Sequence, residues 1–306
     1  MPISKAKWTI GCDPEILLRD RTTGQLVSAE GLIPGDKLNP HKVKKGTIQV
    51  DGFAAEIGID PASDANEFAD NVETVLSELR VFLPNHDFIF TDSAVYSDEV
   101  YMKQSEQGRI LGCEPDFCAW TKRANEPPVP DPSTFRTFSG HIHIGWCNGV
   151  DITDPAHFAD CLVVTKQMDW ALGAPSVYMN PKSKRRVLYG KAGAFRPKPY
   201  GAEYRTPDNS WLRSRDAMKL MFTNSCKGMD DLYAGKHYNL QYDPRNFVNS
   251  GVRSTLYKPE QIPNYLARFG LGWVDVEPIG PLTTPKRRVR KKKVVEGEEA
   301  VAVEVV

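Results

Sequence analysis

Residues 138–146 read Phe138-Ser139-Gly140-His141-Ile142-His143-Ile144-Gly145-Trp146. Apolar residues alternate with two histidines, which is the period of a strand. Side chains two apart on a strand share a face. His141 and His143 therefore point the same way, with Ile142 and Ile144 packed behind them. Two imidazoles on one face bind a metal, a phosphate, or one of each. A lone His-x-His is as readily a pair of ordinary strand histidines, but three other segments repeat the theme.

Residues 8–18 place Asp13 and Glu15 two apart inside an apolar run. Residues 200–208 do the same with Glu203 and Arg205. Between Ile48 and Ile59, Glu56 stands among Val50, Phe53, Ala54, Ala55 and Ile57. Acids in strand-like apolar runs are costly to bury unpaired. One alone reads as an exposed strand residue. Several of them, with His-x-His and a basic segment, are better explained by one polar cavity.

The 306 residues suffice for one large domain or two smaller ones. No run of about 18 apolar residues occurs, so no membrane span is expected. Residues 1–8 lack the apolar core of a signal peptide, so a cytoplasmic location is expected. The six cysteines form no Cys-x-x-Cys pair, which argues against a zinc ribbon and suits reduced thiols. Cys12 and Cys147 lie near the candidate site in sequence and read as small packing residues.

The zero net charge hides an asymmetry. Lys286 to Lys293 holds seven bases in eight positions, and an acidic, valine-rich stretch follows. Removing the seven bases and four acids of residues 286–306 leaves 32 bases and 35 acids, net −3. Residues 281–306 read as a disordered basic, then acidic, tail. The basic octet is also a candidate nucleic-acid contact. Residues 1–280 read as a single folded domain.

Residues 7–19 and 25–29 predict a hairpin turning at Thr22-Thr23-Gly24, and 47–59 a further strand. A helix is expected over 64–83, capped by Ser63 or Asp64, with Phe68, Val72, Val75, Leu76, Leu79 and Leu83 as its stripe. Strands are expected at 86–92, 115–120 and 136–146. Helices are expected at 155–173, from 209 to about 233, and at 259–269. Residues 97–112, 124–134 and 178–199 read as loops, the last rich in Lys, Arg, Gly and Pro. Gly11-Cys-Asp-Pro-Glu15 is echoed faintly by Gly112-Cys-Glu-Pro-Asp116, which adds Asp116 to the candidate acids. The pattern favours an α+β fold, a mainly antiparallel sheet with helices on one face.

If Asp13, Glu15, Glu56, His141 and Glu203 converge, they form an oxygen-rich set suited to Mg²⁺ or Mn²⁺. Arg185, Arg186, Lys191, Arg196 and Arg205 add groups that match phosphate and carboxylate oxygens. Together these are the parts of a nucleotide polyphosphate site. Neither a Gly-x-x-x-x-Gly-Lys-[Ser/Thr] loop nor a Gly-x-Gly-x-x-Gly fingerprint is present. A nucleotide would be held through metals and arginines.

These motifs carry a resemblance. Ser139-Gly-His-Ile-His is similar to the Ser-Gly-x-His-x-His segment of glutamine synthetases. Ala202-Glu-Tyr-Arg-Thr-Pro-Asp208 resembles that family's Glu-x-Arg-x-Pro-Asp strand, and Asp13-Pro-Glu15 stands in the place of its early Glu-x-Glu pair. Over residues 8–215, with Val50-Asp-Gly-Phe-Ala-Ala-Glu56 and Leu188-Tyr-Gly-Lys-Ala-Gly193, the chain looks most like the carboxylate–amine ligases (amidoligases) of phages and bacteria. The resemblance implies a glutamine-synthetase-like catalytic fold and ATP-dependent amide formation through an acyl phosphate, in the host cytoplasm if phage-encoded. It places one Mg²⁺ on Glu15 and Glu56 and a second on Asp13, His141 and Glu203. His143 would contact ATP phosphates. Arg196 and Arg205 would act on the transferring phosphoryl group or the substrate carboxylate. Asp13 replaces the usual Glu and is one methylene shorter. The partners implied are a small-molecule or peptide carboxylate and an amine, with oligomerisation possible.

Two other readings compete. A metal-dependent hydrolase built on His141 and His143 needs further ligands, for which His41, His86, His157 and His237 remain. A non-enzymatic phage protein would bind nucleic acid through the basic tail.

Overall fold

The computed structural model describes residues 8–109, 116–126, 133–236 and 244–250. Its first strands set the plan. β1 (Thr9–Cys12) and β2 (Glu15–Asp20) belong to different sheets, with Asp13-Pro14 between them. Proline has no N–H to give to a ladder, so pairing breaks there and the chain changes sheet. Asp20 then accepts bonds from the Thr22 and Thr23 amides, at 2.9 and 2.7 Å, and turns the chain into β3 (Leu26–Val27). β4 (His41–Val43), β5 (Gly46–Asp51) and β6 (Ala54–Ile59) continue as antiparallel hairpins.

Helix α1 (Ala65–Phe82) begins at Asp64, whose carboxylate accepts from the Asn66 and Glu67 amides. Its stripe of Phe68, Val72, Val75 and Leu79 is fully buried, worth roughly 1.5–3 kcal/mol per side chain. It packs on β5, β6 and the later helix 215–233. Then come β7 (His86–Ile89), β8 (Ser93–Val95), the short helices α2 (Asp98–Met102) and α3 (Glu106–Arg109), β9 (Phe117–Cys118) and β10 (Arg123–Ala124). The second half holds β11 (Phe135–Thr137), β12 (Ile142–Gly145), α4 (Pro155–Met168), α5 (Ala174–Met179), β13 (Ala194–Lys198), β14 (Gly201–Tyr204), α6 (Arg215–Tyr233) and α7 (Arg245–Ser250).

Among the described residues, one sheet runs β1-β12-β14-β13-β9-β10 and a second β3-β2-β6-β5-β4, with β7 also on β2; β8 and β11 pair separately. Each of these pairings is antiparallel. Behind the first sheet lie α4 and α6. Ile10, Ile142, Ile144 and Tyr204 join Val164, Met168, Met221 and Phe222 in its core. The α+β class and the mainly antiparallel sheet agree with the sequence reading. No helix of the described residues is long and apolar enough to cross a membrane.

Several boundaries differ. The expected strand 7–19 is two strands in two sheets, divided at Pro14. The expected strand 47–59 is the hairpin β5–β6, because Gly52, at φ +56°, turns the chain after Asp51. The expected strand 136–146 is β11 and β12, separated at Ser139-Gly140. A Cβ on Gly140 would stand 2.3 Å from the Asp208 carbonyl oxygen and 2.5 Å from Trp211 Nε1, so no side chain fits there. The helix expected over 155–173 is α4 followed by a π turn at Asp169–Gly173. That from 209 is a 3-10 turn, Asn209–Arg213, and then α6. The expected loop 97–112 contains α2 and α3. The expected loop 178–199 contains a 3-10 turn, Lys184–Val187, and β13. The helix expected at 259–269 and the tail from 281 lie outside the described residues.

Candidate functional site

Register builds the site. Glu203 of β14 stands between His143 of β12 and Arg196 of β13. On alternating strands this row shares a face with His141, Arg205 and Lys198. Beyond β1, Asp13 joins the same face, its amide donating to the His141 carbonyl. In the second sheet Glu15 is the direct partner of Glu56, and Glu56 of Gln49. Asp51, two along from Gln49, shares that face. The step Cys12-Asp13-Pro14-Glu15 thus delivers one acid to each sheet.

Two ligand sets result. Asp13, His143 and Glu203 offer atoms within 4.8 Å of one another, and so do Glu15, Asp51 and Glu56. His141 borders the first set, its Nδ1 3.2 Å from Asp13 Oδ1 and 3.4 Å from Glu203 Oε1. His143 Nε2 lies 3.0 Å from Asp13 Oδ2. His143 Nε2 and Asp13 Oδ1 are buried and held by these ion-pair contacts without a hydrogen bond of good geometry. Nδ1 of the same ring meets the Tyr200 hydroxyl.

The two sets differ electrostatically. Burial alone would raise the Glu203 carboxyl. Arg205, His141, Lys198 and Arg196 outweigh it and hold the group well below the usual carboxylate range. Its oxygens take Arg205, Lys198 Nζ at 2.9 Å and Arg196 at 3.2 Å. Asp13 likewise overcomes burial through His143 and His141 and is held low. Burial and Arg205 press His141 down to about 3. His143 is raised, because Asp13 and Glu203 outweigh its burial.

The second set has too little positive charge. Burial, then Asp13, Asp51 and Glu15, push Glu56 well above the usual range. Burial and Asp51 raise Glu15 to about 7, although the Ser139 amide and Arg185 pull the other way. A group of buried acids that suppress one another's ionisation fits a hard divalent cation. The buried imidazole nitrogen and carboxylate oxygen of the first set, in ion-pair contact but without a well-formed hydrogen bond, fit one as well.

A cavity of about 830 Å³ opens beside these groups, and Glu15, Asp51, His141, Arg185 and Arg205 line it. Arg185 is buried. It donates to the carbonyls of Arg205, Thr206 and Pro207 and meets His141 Nε2 at 3.0 Å. Arg205 binds Glu203 and Asp116, the latter at 3.0 Å. The rest of the internal echo, residues 112–115, lies outside the described residues.

Of the basic residues singled out, Arg185, Arg196 and Arg205 meet at this face. Arg186 does not: it donates to the Asn180 and Ser176 carbonyls at 2.5 and 2.9 Å, which fastens the 3-10 turn to α5. Lys191 is exposed, and its carbonyl accepts from the Thr206 hydroxyl. Sequence reasoning missed Asp51, Lys198 and Tyr200. The Asp51-Gly52 dipeptide between alternating apolar residues was a hairpin signal that would have placed Asp51 opposite the Glu56 strand. Lys198 fell in a segment read as loop, where no period marks a shared face, and Tyr200 opened the 200–208 segment, where only Glu203 and Arg205 were singled out.

Among the described residues, the remaining histidines do not complete a hydrolase centre. His157 donates to, or accepts at, neither acid set: its Nε2 lies 2.9 Å from the Lys198 carbonyl, with Cys161 Sγ at 3.7 Å. His41 is exposed and His86 faces Asp20. His237 lies outside the described residues.

Residues 133–260 match the family model described as phage phiEco32-like COOH.NH2 ligase-type 2. The matched span carries the His-x-His and Glu-x-Arg strands and the basic segment between them, and it begins downstream of Asp13, Glu15 and Glu56. The family agrees with the resemblance read from the motifs. No curated protein matches the chain at a significant level.

Proposed function

We propose, for a chain that carries the COOH.NH2 ligase family's segment, that the protein is an ATP-dependent carboxylate–amine ligase. The observation that carries this reading is the pair of ligand sets, Asp13/His143/Glu203 and Glu15/Asp51/Glu56, flanking Pro14 beside a cavity walled by Arg185 and Arg205. The run of acid-, His- and Arg-bearing antiparallel strands supports a glutamine-synthetase-like catalytic fold; residues 1–280 are its proposed extent.

In the proposed reaction a carboxylate oxygen attacks the terminal phosphorus of ATP, and the bond to the leaving ADP breaks. The amine nitrogen then attacks the carbonyl carbon, the C–O bond to phosphate breaks, and the nitrogen loses a proton. Mg²⁺ or Mn²⁺, held by the two acid sets, would neutralise phosphate charge and polarise the transferring group. The chain's own cations act beside them. Arg205, braced by Asp116 and Glu203, presents a fixed guanidinium to developing negative charge. Arg185, fastened to three carbonyls, offers a second at the cavity wall. Arg196 and Lys198 keep Glu203 ionised. Tyr200 holds the His143 ring so that Nε2 faces Asp13.

Calorimetric titration with Mg²⁺·ATP tests the reading on wild type and on Glu15→Gln. Metal-dependent binding by wild type that weakens at least tenfold in the variant is the expected outcome. No ATP binding with either Mg²⁺ or Mn²⁺ would overturn it.

A further inference from the structure

Arg136 is a third guanidinium on the cavity wall, remote in sequence from the other two. It sits at the centre of β11 and is 5 % exposed. The other buried guanidinium groups each have acidic neighbours. Arg205 pairs with Asp116 and Glu203. Arg185 faces Glu15 and Asp208, and Arg186 faces Asp208 and Asp92. Among the described residues Arg136 has no carboxylate partner, and the groups around it are the phenols of Tyr101, Tyr96 and Tyr189.

Burying a guanidinium without a counter-charge is costly, and the local structure does not remove that cost. Nη1 donates to the Ser133 and Phe135 carbonyls at 2.6 and 2.8 Å, and Nη2 to the Arg109 carbonyl at 3.0 Å. A guanidinium has five N–H donors. Three are used in this way, the Tyr101 hydroxyl is a further hydrogen-bonding neighbour, and Nε is buried with no hydrogen-bond partner. The plane is held against the rings of Phe53 and Tyr101, at 4.5 and 5.3 Å from their centroids. A fixed plane with an unsatisfied donor and an unpaired charge is ready for one small oxyanion.

Its place in the cavity selects among oxyanions. Glu15 and Asp51 line the same cavity, as do Arg185 and Arg205, the guanidiniums adjoining the Asp13/His143/Glu203 set. A polyphosphate needs several cations or metals, whereas the remaining N–H donors of Arg136 suit a single carboxylate. Around Arg136 the wall is made by Phe53, Phe138, Thr137 and Ser139, with Ser105 and Gly108 beyond. Glu30 fixes that outer wall by accepting from the Ser105 amide at 3.1 Å.

We infer that Arg136 anchors a carboxylate group of the acid substrate in this cavity, which makes it a substrate-selecting residue. The inference rests on the ligase reading above. It adds that the acid is anchored apart from the cations that meet phosphate.

The test uses the full chain and three probes, namely acetate, succinate and inorganic phosphate, titrated calorimetrically in the presence of Mg²⁺·ADP. Wild type is compared with Arg136→Gln and Arg136→Lys. Saturable carboxylate binding by wild type is expected, with affinity reduced roughly 10- to 100-fold in Arg136→Gln and partly kept in Arg136→Lys. Mg²⁺·ADP affinity should be the same in all three. Equal carboxylate affinity in wild type and variants overturns the inference, and so does no carboxylate binding by wild type. Loss of phosphate or Mg²⁺·ADP binding in the variants, with carboxylate binding kept, assigns Arg136 to the nucleotide and also overturns it. Failure of wild type itself to bind Mg²⁺·ADP would instead count against the ligase reading. Should Arg136→Gln not fold, as its three carbonyl bonds allow, Arg136→Lys decides.

Discussion

Glu15 and Glu56 are direct cross-strand partners in an antiparallel pair, a position where two like charges repel. Gln49 Nε2 donates to Glu56 at 3.0 Å and relieves part of this. On the proposed reading a shared cation would relieve the rest. The pair's cost in the metal-free protein has a measurable consequence.

Glu15 titrates near 7 in the fold, against an ordinary value of 4.5 in the unfolded chain. Below about 4.5 it is protonated both folded and unfolded, and stability is unaffected by pH on its account. As pH rises towards 7 the unfolded chain loses the proton first, so stability falls. Glu56, raised by burial and by Asp13, Asp51 and Glu15, adds a loss of the same sign. His141, held near 3, works in the opposite sense and only below about 6.5. The metal-free protein should therefore lose at least ~3 °C in Tm between about pH 6.5 and pH 8.5. Mg²⁺ should restore it, and Glu56→Gln should flatten the slope. A Tm that holds or rises across that range would speak against the acid pair.

Asp51 was not singled out from the sequence, yet it completes the Glu15/Glu56 set. Asp51→Asn should weaken Mn²⁺ binding at that set roughly 10- to 100-fold and leave the circular dichroism spectrum unchanged. Mn²⁺ titration followed by electron paramagnetic resonance would show one class of bound ion lost. Unaltered stoichiometry and affinity would exclude Asp51 as a ligand.

Glu203 neutralises Arg205, Arg196 and Lys198 while nearly fully buried. Removing it leaves uncompensated charge, so Glu203→Ala should cost about 3–5 kcal/mol of stability as well as all turnover. His141→Ala should also abolish turnover, with a smaller loss of stability. Urea denaturation of the two variants side by side would separate these effects.

Arg205→Lys should reduce turnover at least ~100-fold, since an ammonium cannot bridge Asp116 and Glu203 as the guanidinium does. ADP release measured with an acid and an amine that support wild-type turnover would record it. Near-normal rates would remove Arg205 from the catalytic group.

Much of the site could be read from local patterns. His141 and His143, and Glu203 and Arg205, are each two apart, and the strand repeat fixes that each pair shares a face; Asp13 and Glu15 are also two apart, but Pro14 sends them to different sheets. α1 was legible for the same reason: a 3.6-residue stripe and the Asp64 cap are short-range features. The segment 178–199 was not. β13 holds Arg196 and Lys198, but Pro197 and Pro199 interrupt any alternation there, and the strand exists because β14 and β9 pair with it. Arg186 and Lys191 looked equivalent to Arg185 and Arg196 because charge type carries no direction.

The sequence alone pointed to the α+β class, the main helix, the family segment and most of the acids and histidines that gather at the candidate site. These follow from residue type and short-range periodicity, which chain geometry converts directly into faces. Tertiary structure decided the rest. It set Asp51 beside Glu15 and Glu56, divided the acids between two sheets at Pro14, and turned Arg186 away to backbone carbonyls. It also left Arg136 on the cavity wall without an acid among the described residues. Such relations depend on strand register and burial between residues far apart in the chain, and long-range packing fixes both.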